Sequence, residues 1–254
     1  MASPIAFQPA DEPPSLQELR AEVRAFVAAH VPPGSHYTQS SRAFSREVGQ
    51  RGWIGMTWPA QWGGGERGDL ERYVVIEELI AAGAPIFYHW VADRQSGPLI
   101  LRFGTDAQRA RYLPAIVQGA CGFAIGLSEP DAGSDLSALR SRATLRDDGW
   151  SIAGTKIWTS NAHDADFIIV LCRTGDSTTD RHQGFTQFIV DLHAPGVQIR
   201  PIRNMAGSHE FNEVVFDEVF VADDNRLGAV GDGWKQLLSE LAFERSGPDR
   251  FLSA

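Results

Sequence analysis

The stretch from Ile125 to Asp135, Ile-Gly-Leu-Ser-Glu-Pro-Asp-Ala-Gly-Ser-Asp, joins an apolar run to a turn that contains Pro130 and Gly133. Such a turn frees main-chain N–H groups, and Ser128 and Ser134 place small hydroxyls beside them. A flat polar cofactor that carries phosphates could bind these groups. A surface turn that caps a helix has the same composition, and on residue types alone it is the commoner interpretation.

Length and charge narrow the class of protein. The chain has 254 residues, which is enough for one or two domains. Its net charge of −9 is unfavourable for nucleic-acid binding. No apolar run is long enough to span a bilayer, and the acidic, Pro-rich N-terminus is unlike a signal peptide, so we expect a cytoplasmic location. The cysteines, Cys121 and Cys172, are predicted to be buried reduced thiols, and the histidine spacing predicts no metal site.

The first half of the chain has helical periodicity, and residues 1–121 are predicted to form an all-α domain. Ser15 with Glu18, and Thr105 with Gln108, have the spacing of capping boxes. Predicted helices begin at Ser15, near Ser41, at Asp69 (with Leu70, Tyr73, Val74, Glu77 and Ile80 on its apolar side) and at Thr105.

After Gly119 the period changes from 3.6 to 2, which indicates strands. The turn at 147–149 lies between alternating segments and predicts a hairpin. We therefore predict an α+β protein in which residues 122–228 form a small antiparallel β-barrel or sandwich. Trp234, Leu237, Leu238 and Leu241 predict the first helix of a C-terminal helical bundle within residues 229–254. Further strands are predicted at 156–160, 167–172, 185–191, 197–201 and 214–221.

Three segments could bind a cofactor or take part in catalysis, and each could instead have a purely structural role. The G-x-G-x-x-G match at 63–68 lacks a preceding strand, so we interpret it as a turn and not as a dinucleotide site. Trp158, with hydroxyls at Thr159 and Ser160, could line an aromatic cofactor, although a tryptophan in a strand is more often core. Glu244 could be a partly desolvated general base, although most such acids only edge a buried helix face.

Together these segments resemble the acyl-CoA dehydrogenase family. The matching motifs occur in family order across almost the whole chain, and Ser128 stands where threonine is commoner. The motifs are Gly55-Met-Thr-Trp-Pro59 with Gly63-Gly64, Phe103-Gly-Thr105 through Gln108 to Tyr112-Leu-Pro114, Ser128–Asp135, Lys156-Ile-Trp-Thr-Ser-Asn161 and Phe216-Asp-Glu-Val219.

The resemblance implies a bound FAD between the middle domain and the helices. It places the main chain of Ile125 and Leu127 and the hydroxyl of Ser128 against the flavin ring. Ser134 would lie near the pyrophosphate and the thioester substrate. The isoalloxazine would pack on Trp158, with Thr159 and Ser160 on its N5 side.

The activity implied is α,β-desaturation of an acyl-CoA, in which a glutamate removes the α-proton and a β-hydride passes to flavin N5. In most family members that base lies late in the C-terminal domain. A subset that includes isovaleryl-type enzymes carries Glu then Arg on the first C-terminal helix, and this makes Glu244 the candidate base and Arg245 a substrate-side residue. Acyl chain length and branching stay open.

The partners implied are an electron-transfer flavoprotein as acceptor and either a homodimer or tetramer or a heteromer with a related subunit. Since the family's remaining C-terminal helices are not in this sequence, we expect weak FAD binding, poor activity of this chain alone and an exposed apolar face at Trp234, Leu237 and Leu241. Two alternatives remain: a flavin oxidase or monooxygenase of the same fold, and a non-catalytic or half-site subunit of a heteromeric dehydrogenase.

Overall fold

The structure is a computed structural model that describes residues 12–175 and 181–245, except for the side chains of residues 243–245. The described residues of its first half are helical, as predicted. The helices are α1 (Pro14–His30), α2 (Arg42–Gln50), α3 (Asp69–Ala81), α4 (Phe87–Val91), α5 (Gly97–Phe103) and α6 (Asp106–Val117). A π-helical turn over Ala92–Ser96 joins α4 to α5, so residues 87–103 form one continuous helix, which the sequence did not predict.

The caps of these helices are only partly as predicted. Thr105 caps α6 by accepting from the N–H of Gln108, whose side chain returns a bond to Thr105, which confirms that capping box. The Ser15 capping box is wrong, because α1 begins one residue earlier with no side-chain cap. Pro14 favours that start, since its fixed φ suits the first helical position and its missing N–H would have had no partner.

The predicted apolar side of α3 is also wrong in part. Leu70 is exposed, whereas Val75 and Leu79 are buried among the other helices. Glu78 is buried on the same side and accepts hydrogen bonds from Arg20 and Arg24 of α1. In the sequence a glutamate looks like a surface residue, even where paired arginines allow its burial. The apolar pattern of α3 therefore predicted the wrong face in part.

A buried histidine gives the helical domain a pH-dependent stability. His89 of α4 is hydrogen-bonded to Ser45 of α2 at 2.8 Å, and burial lowers its pKa to about 4 despite the opposing charge of Asp93. Because the folded pKa is below the unfolded one, this group contributes stability above about pH 6.5 that is lost as the pH falls toward 4. We expect the free energy of unfolding to fall by about 2 kcal/mol more between pH 7 and pH 5 in the wild type than in His89→Gln.

Urea titrations of both proteins at the two pH values measure this difference. His193→Gln, at an exposed position, is the matched control and should follow the wild type. Parallel losses in the wild type and His89→Gln would contradict the assignment.

The described residues of the second half form the strands β1 (Phe123–Gly126), β2 (Arg142–Arg146), β3 (Gly149–Ser160), β4 (Phe167–Arg173), β5 (Phe185–Asp191), β6 (Val197–Arg203), β7 (His209–Ala222) and β8 (Arg226–Leu227). These strands lie in one sheet with the order β6-β7-β3-β2-β4-β5-β8, and β1 pairs with β4. The β2–β3 hairpin is confirmed, with Arg146 opposite Gly149 across the turn. Two pairings, β1–β4 and β2–β4, are parallel, so the predicted antiparallel domain is a mixed sheet.

The helix α7 (Gly233–Arg245) packs against the sheet domain and the N-terminal helices. Its predicted apolar face is not exposed: Leu237 is 2% exposed and Trp234 stacks on His182, with 4.3 Å between ring centroids. Leu238 faces solvent instead, while Gln236 and Glu240 are buried. No helix within the described ranges is both long enough and apolar enough to cross a membrane.

Candidate functional site

The two segments singled out in the sequence meet at the end of β1. The N–H of Ile157 donates to the carbonyl of Ser128 at 2.9 Å. The ammonium of Lys156 donates to the carbonyl of Leu127 at 3.1 Å. The structure therefore brings Ile125–Ser128 and Trp158–Ser160 together, although about thirty residues separate them in sequence.

The turn after Ser128 is tight and its tip is exposed. Glu129 and Ala132 exchange main-chain hydrogen bonds of 2.8 and 3.1 Å, which closes the turn around Pro130. Ser134 follows on the surface. Asp135 accepts from the hydroxyl of Ser137 at 2.8 Å and pairs with Arg181, so its charge is already compensated.

A bulge in β3 presents Trp158 to solvent. The pairing of β3 with β7 shifts register between Lys156 and Thr159, and Trp158 has φ 60. A non-glycine residue in this region is unusual, and such bulges often redirect a side chain beside a site. The indole is 58% exposed and has Phe211 at its edge, with 6.2 Å between ring centroids. The core interpretation of Trp158 is therefore wrong.

The residue after Trp158 carries a hydroxyl with spare hydrogen-bonding capacity. Thr159 is 2% exposed, and its hydroxyl has no hydrogen-bond partner among the described residues. The carbonyl of Thr159 accepts from the side-chain amide of Asn212 at 3.0 Å, which fixes the strand. Ser160 is half-buried and pairs with Phe211 of β7. An exposed aromatic face, followed in the strand by a residue with an unpaired hydroxyl, fits a flat heterocycle with polar edges.

The helix α7 lies against this site. Leu237 shares an apolar cluster with Leu139, and Leu127 and Leu241 pack on its edge. Glu240 accepts from the side-chain amide of Gln187 at 2.9 Å, which ties α7 to β5. Glu244 and Arg245 are the last two residues of α7, and their side chains are outside the described part.

Other candidate chemistry is absent from this region. Cys121 and Cys172 are free and buried, and burial raises the pKa of both thiols to about 12, so neither is a ready nucleophile. Within residues 12–175 and 181–245, no three His, Cys, Asp or Glu side chains lie where they could hold a metal ion. Residues 63–68 form a turn after a short 3-10 helix, with Gly63 at φ 88, as predicted.

Comparisons with known proteins identify the family. Residues 13–120 match the family described as "Acyl-CoA dehydrogenase, N-terminal domain", and residues 124–219 match "Acyl-CoA dehydrogenase, middle domain". The chain belongs to the acyl-CoA dehydrogenase family.

Relatives of known name support the same assignment. Acyl-CoA dehydrogenase IpdE1 of Mycobacterium tuberculosis is 36% identical over 243 residues, which cover 91% of this chain and 63% of the relative. The Tcur3481-Tcur3483 steroid ACAD is 35% identical with a TM-score of 0.84, over 92% of this chain and 62% of that one. The ChsE4-ChsE5 complex from Mycobacterium tuberculosis is 31% identical with a TM-score of 0.83, over 94% and 62%. The chain thus spans less than two thirds of these relatives.

Sequence reasoning missed one feature of this acyl-CoA dehydrogenase chain. Lys156 has no exposed side-chain surface, and its ammonium lies 2.9 Å from the carboxylate of Glu129. Burial favours the neutral form of Glu129, but the ammonium and the hydrogen bonds from residues 140 and 141 outweigh it and lower its pKa. A signal was present: Lys156 is one of only two lysines and precedes an apolar residue and a tryptophan in a strand.

Proposed function

We propose that this chain forms the FAD-binding and part of the substrate-binding region of an acyl-CoA dehydrogenase that desaturates an acyl-CoA thioester between Cα and Cβ. The observation that carries the proposal is the exposed indole of Trp158, followed in β3 by Thr159, whose buried hydroxyl has no hydrogen-bond partner among the described residues. The residues directly before them, Lys156 and Ile157, donate hydrogen bonds to the carbonyls of Leu127 and Ser128, in a chain that belongs to this family.

The residues that would hold FAD are those that meet at the end of β1. We propose that the main chain of Ile125 and Leu127 and the hydroxyl of Ser128 bind one edge of the isoalloxazine. Trp158 would cover its face. Thr159 and Ser160 would donate hydrogen bonds on the N5 side. When bound, FAD would supply the hydride acceptor.

The substrate would lie between this region and α7. We propose that Ser134 binds near the pyrophosphate and the thioester, and that Arg245 contacts the substrate. Glu244 would accept the α-proton. The packing of Leu237 and Leu241 beside Leu127 and Leu139 supports this arrangement, because it fixes α7 next to the turn that carries Ser134.

Replacing Trp158 tests the flavin site. Trp158→Ala is expected to weaken FAD binding by about tenfold, since it removes an aromatic face worth about 1 kcal/mol or more. FAD titration followed by flavin fluorescence measures the affinity. Phe220→Ala is the matched control, because Phe220 is also aromatic and 51% exposed but lies on β7 away from the bulge. Equal FAD affinity of wild type and Trp158→Ala would contradict the site.

A second candidate is one subunit of a heteromeric dehydrogenase. Two similar structures carry names that join two proteins, Tcur3481-Tcur3483 and ChsE4-ChsE5. We therefore propose a related subunit as partner, with a homo-oligomer as the alternative, and an electron-transfer flavoprotein as electron acceptor. Within this chain, we propose three domains: residues 1–121, 122–228 and 229–254. Co-purification of a second dehydrogenase subunit with the tagged protein tests the heteromer; a homo-oligomer that turns over acyl-CoA would contradict it.

A further inference from the structure

We propose that Glu129 and Lys156 are positioning residues whose buried ion pair holds the two flavin-facing segments in a fixed arrangement. The segments are residues 125–128, which end β1, and residues 158–160, which end β3. The inference rests on the proposed function, because it takes these segments to be the ones that meet the flavin.

The carboxylate of Glu129 closes the loop that carries Ser134. One oxygen accepts from the ammonium of Lys156 at 2.9 Å and from the N–H of Ser141 at 2.8 Å. The other accepts from the N–H of Arg140 at 2.6 Å. A single side chain therefore ties both ends of the loop over 129–141 to β3.

The ammonium of Lys156 makes the complementary link to β1. It donates to the carbonyl of Leu127 at 3.1 Å as well as to Glu129. Lys156 precedes Trp158 by two residues, and Ile157 between them donates to Ser128. A shift of the ammonium would thus change the position of the Leu127–Ser128 main chain relative to the indole.

Gly126 provides the space in which the Lys156 side chain lies. A Cβ at Gly126 would be 3.2 Å from Cγ of Lys156 and 3.0 Å from Cδ1 of Ile168. Both distances are shorter than ordinary carbon contacts. An alanine here would press on the lysine stem without removing either charge.

Burying the ion pair of Glu129 and Lys156 is costly, so we infer that the pair fixes the positions of the flavin-facing segments more than it stabilises the fold. Two charges that leave water lose solvation, and well-packed apolar residues of similar volume are often equally stable. Directional hydrogen bonds to three main-chain groups fix geometry in a way that apolar packing does not. Removing both charges together should therefore displace the flavin-facing segments while leaving the stability of the protein nearly unchanged.

The test uses the double variant Glu129→Gln with Lys156→Met, prepared as the full protein with any partner that co-purifies. We expect FAD affinity to fall by about tenfold or more, because groups that are displaced from their optimal geometry bind the cofactor more weakly. We also expect a changed visible circular dichroism spectrum of the bound flavin. The midpoint of thermal unfolding of the FAD-free protein should stay within about 5 °C of the wild type.

Gly126→Ala provides a second variant, since it keeps both charges and presses on the side chains of Lys156 and Ile168. It should weaken FAD binding and alter the flavin spectrum in the same direction. If the double variant does not fold, Gly126→Ala decides between the outcomes in the same way. Glu78→Gln is the control: it removes a buried paired carboxylate between α1 and α3 and should lower stability without changing the spectrum of bound FAD.

The outcomes separate the two claims. If the wild type fails to bind FAD, the proposed function is wrong, and this inference is wrong with it. If the wild type binds FAD and the folded variants bind it with the same affinity and spectrum, only the positioning role is wrong. Weaker binding and an altered spectrum at preserved stability support it.

Discussion

Replacement of Glu244 by Gln is expected to slow the reduction of bound FAD by acyl-CoA by about 10²–10⁴-fold, the usual contribution of a general base. Gln has nearly the same shape but cannot accept the α-proton. FAD affinity should not change, because the residues proposed to bind the flavin ring lie on β1, β3 and the turn after Ser128. Stopped-flow measurement of flavin absorbance under anaerobic conditions gives the rate directly.

Glu240→Gln is the matched control for this experiment. Glu240 is also an acid of α7, one helical turn earlier, and it is buried against Gln187. Its replacement should affect stability more than the rate of reduction. Wild-type rates in Glu244→Gln would contradict the assignment of Glu244 as the base. A loss confined to Glu240→Gln would then assign the base to the buried acid.

Lys156→Met alone is expected to lower the free energy of unfolding by about 3–5 kcal/mol near pH 7, because it leaves the carboxylate of Glu129 buried without its cation. Lys235→Met, which changes the other lysine at an exposed position of α7, should shift it by less than about 0.5 kcal/mol. Urea unfolding followed by tryptophan fluorescence measures both variants.

The effect of Lys156→Met on the free energy of unfolding should depend on pH. In the wild type the pKa of Glu129 is lowered from its ordinary value of 4.5. The pair therefore contributes stability above that value and loses it as the pH falls through the folded pKa. Without Lys156, only the hydrogen bonds from residues 140 and 141 oppose burial, so the pKa of Glu129 should be higher than in the wild type. The penalty is then present at neutral pH and disappears on acidification. The difference between variant and wild type should thus narrow toward about pH 4.5, and a constant difference would contradict the account.

Local features of this fold were predictable because they depend on neighbouring residues. The hairpin around Gly149 and the cap at Thr105 require only turn chemistry and a polar side chain three residues away. The change of period after Gly119 correctly separated helices from strands. The strand β5 has the predicted limits, since its apolar run is bounded by turn residues.

Features that depend on contacts distant in sequence were not predictable in the same way. The exposure of Trp158 follows from a register shift between β3 and β7, which no local pattern reveals. The inward face of α7 includes Gln236 and Glu240 because the carbonyl of Leu227 and the amide of Gln187 compensate them. Polar side chains that find such partners look like surface residues in a sequence. The site was therefore recognised through its motifs, while its geometry needed the fold.

The measurement that tests the central claim most directly is anaerobic addition of acyl-CoA thioesters to the FAD-loaded protein, including a thioester with a steroid side chain. The protein should be prepared with any partner that co-purifies. We predict bleaching of the oxidised flavin absorbance, with formation of the 2,3-enoyl-CoA. A protein that holds FAD but stays oxidised with straight-chain, branched and steroid thioesters alike would contradict the assignment as an acyl-CoA dehydrogenase.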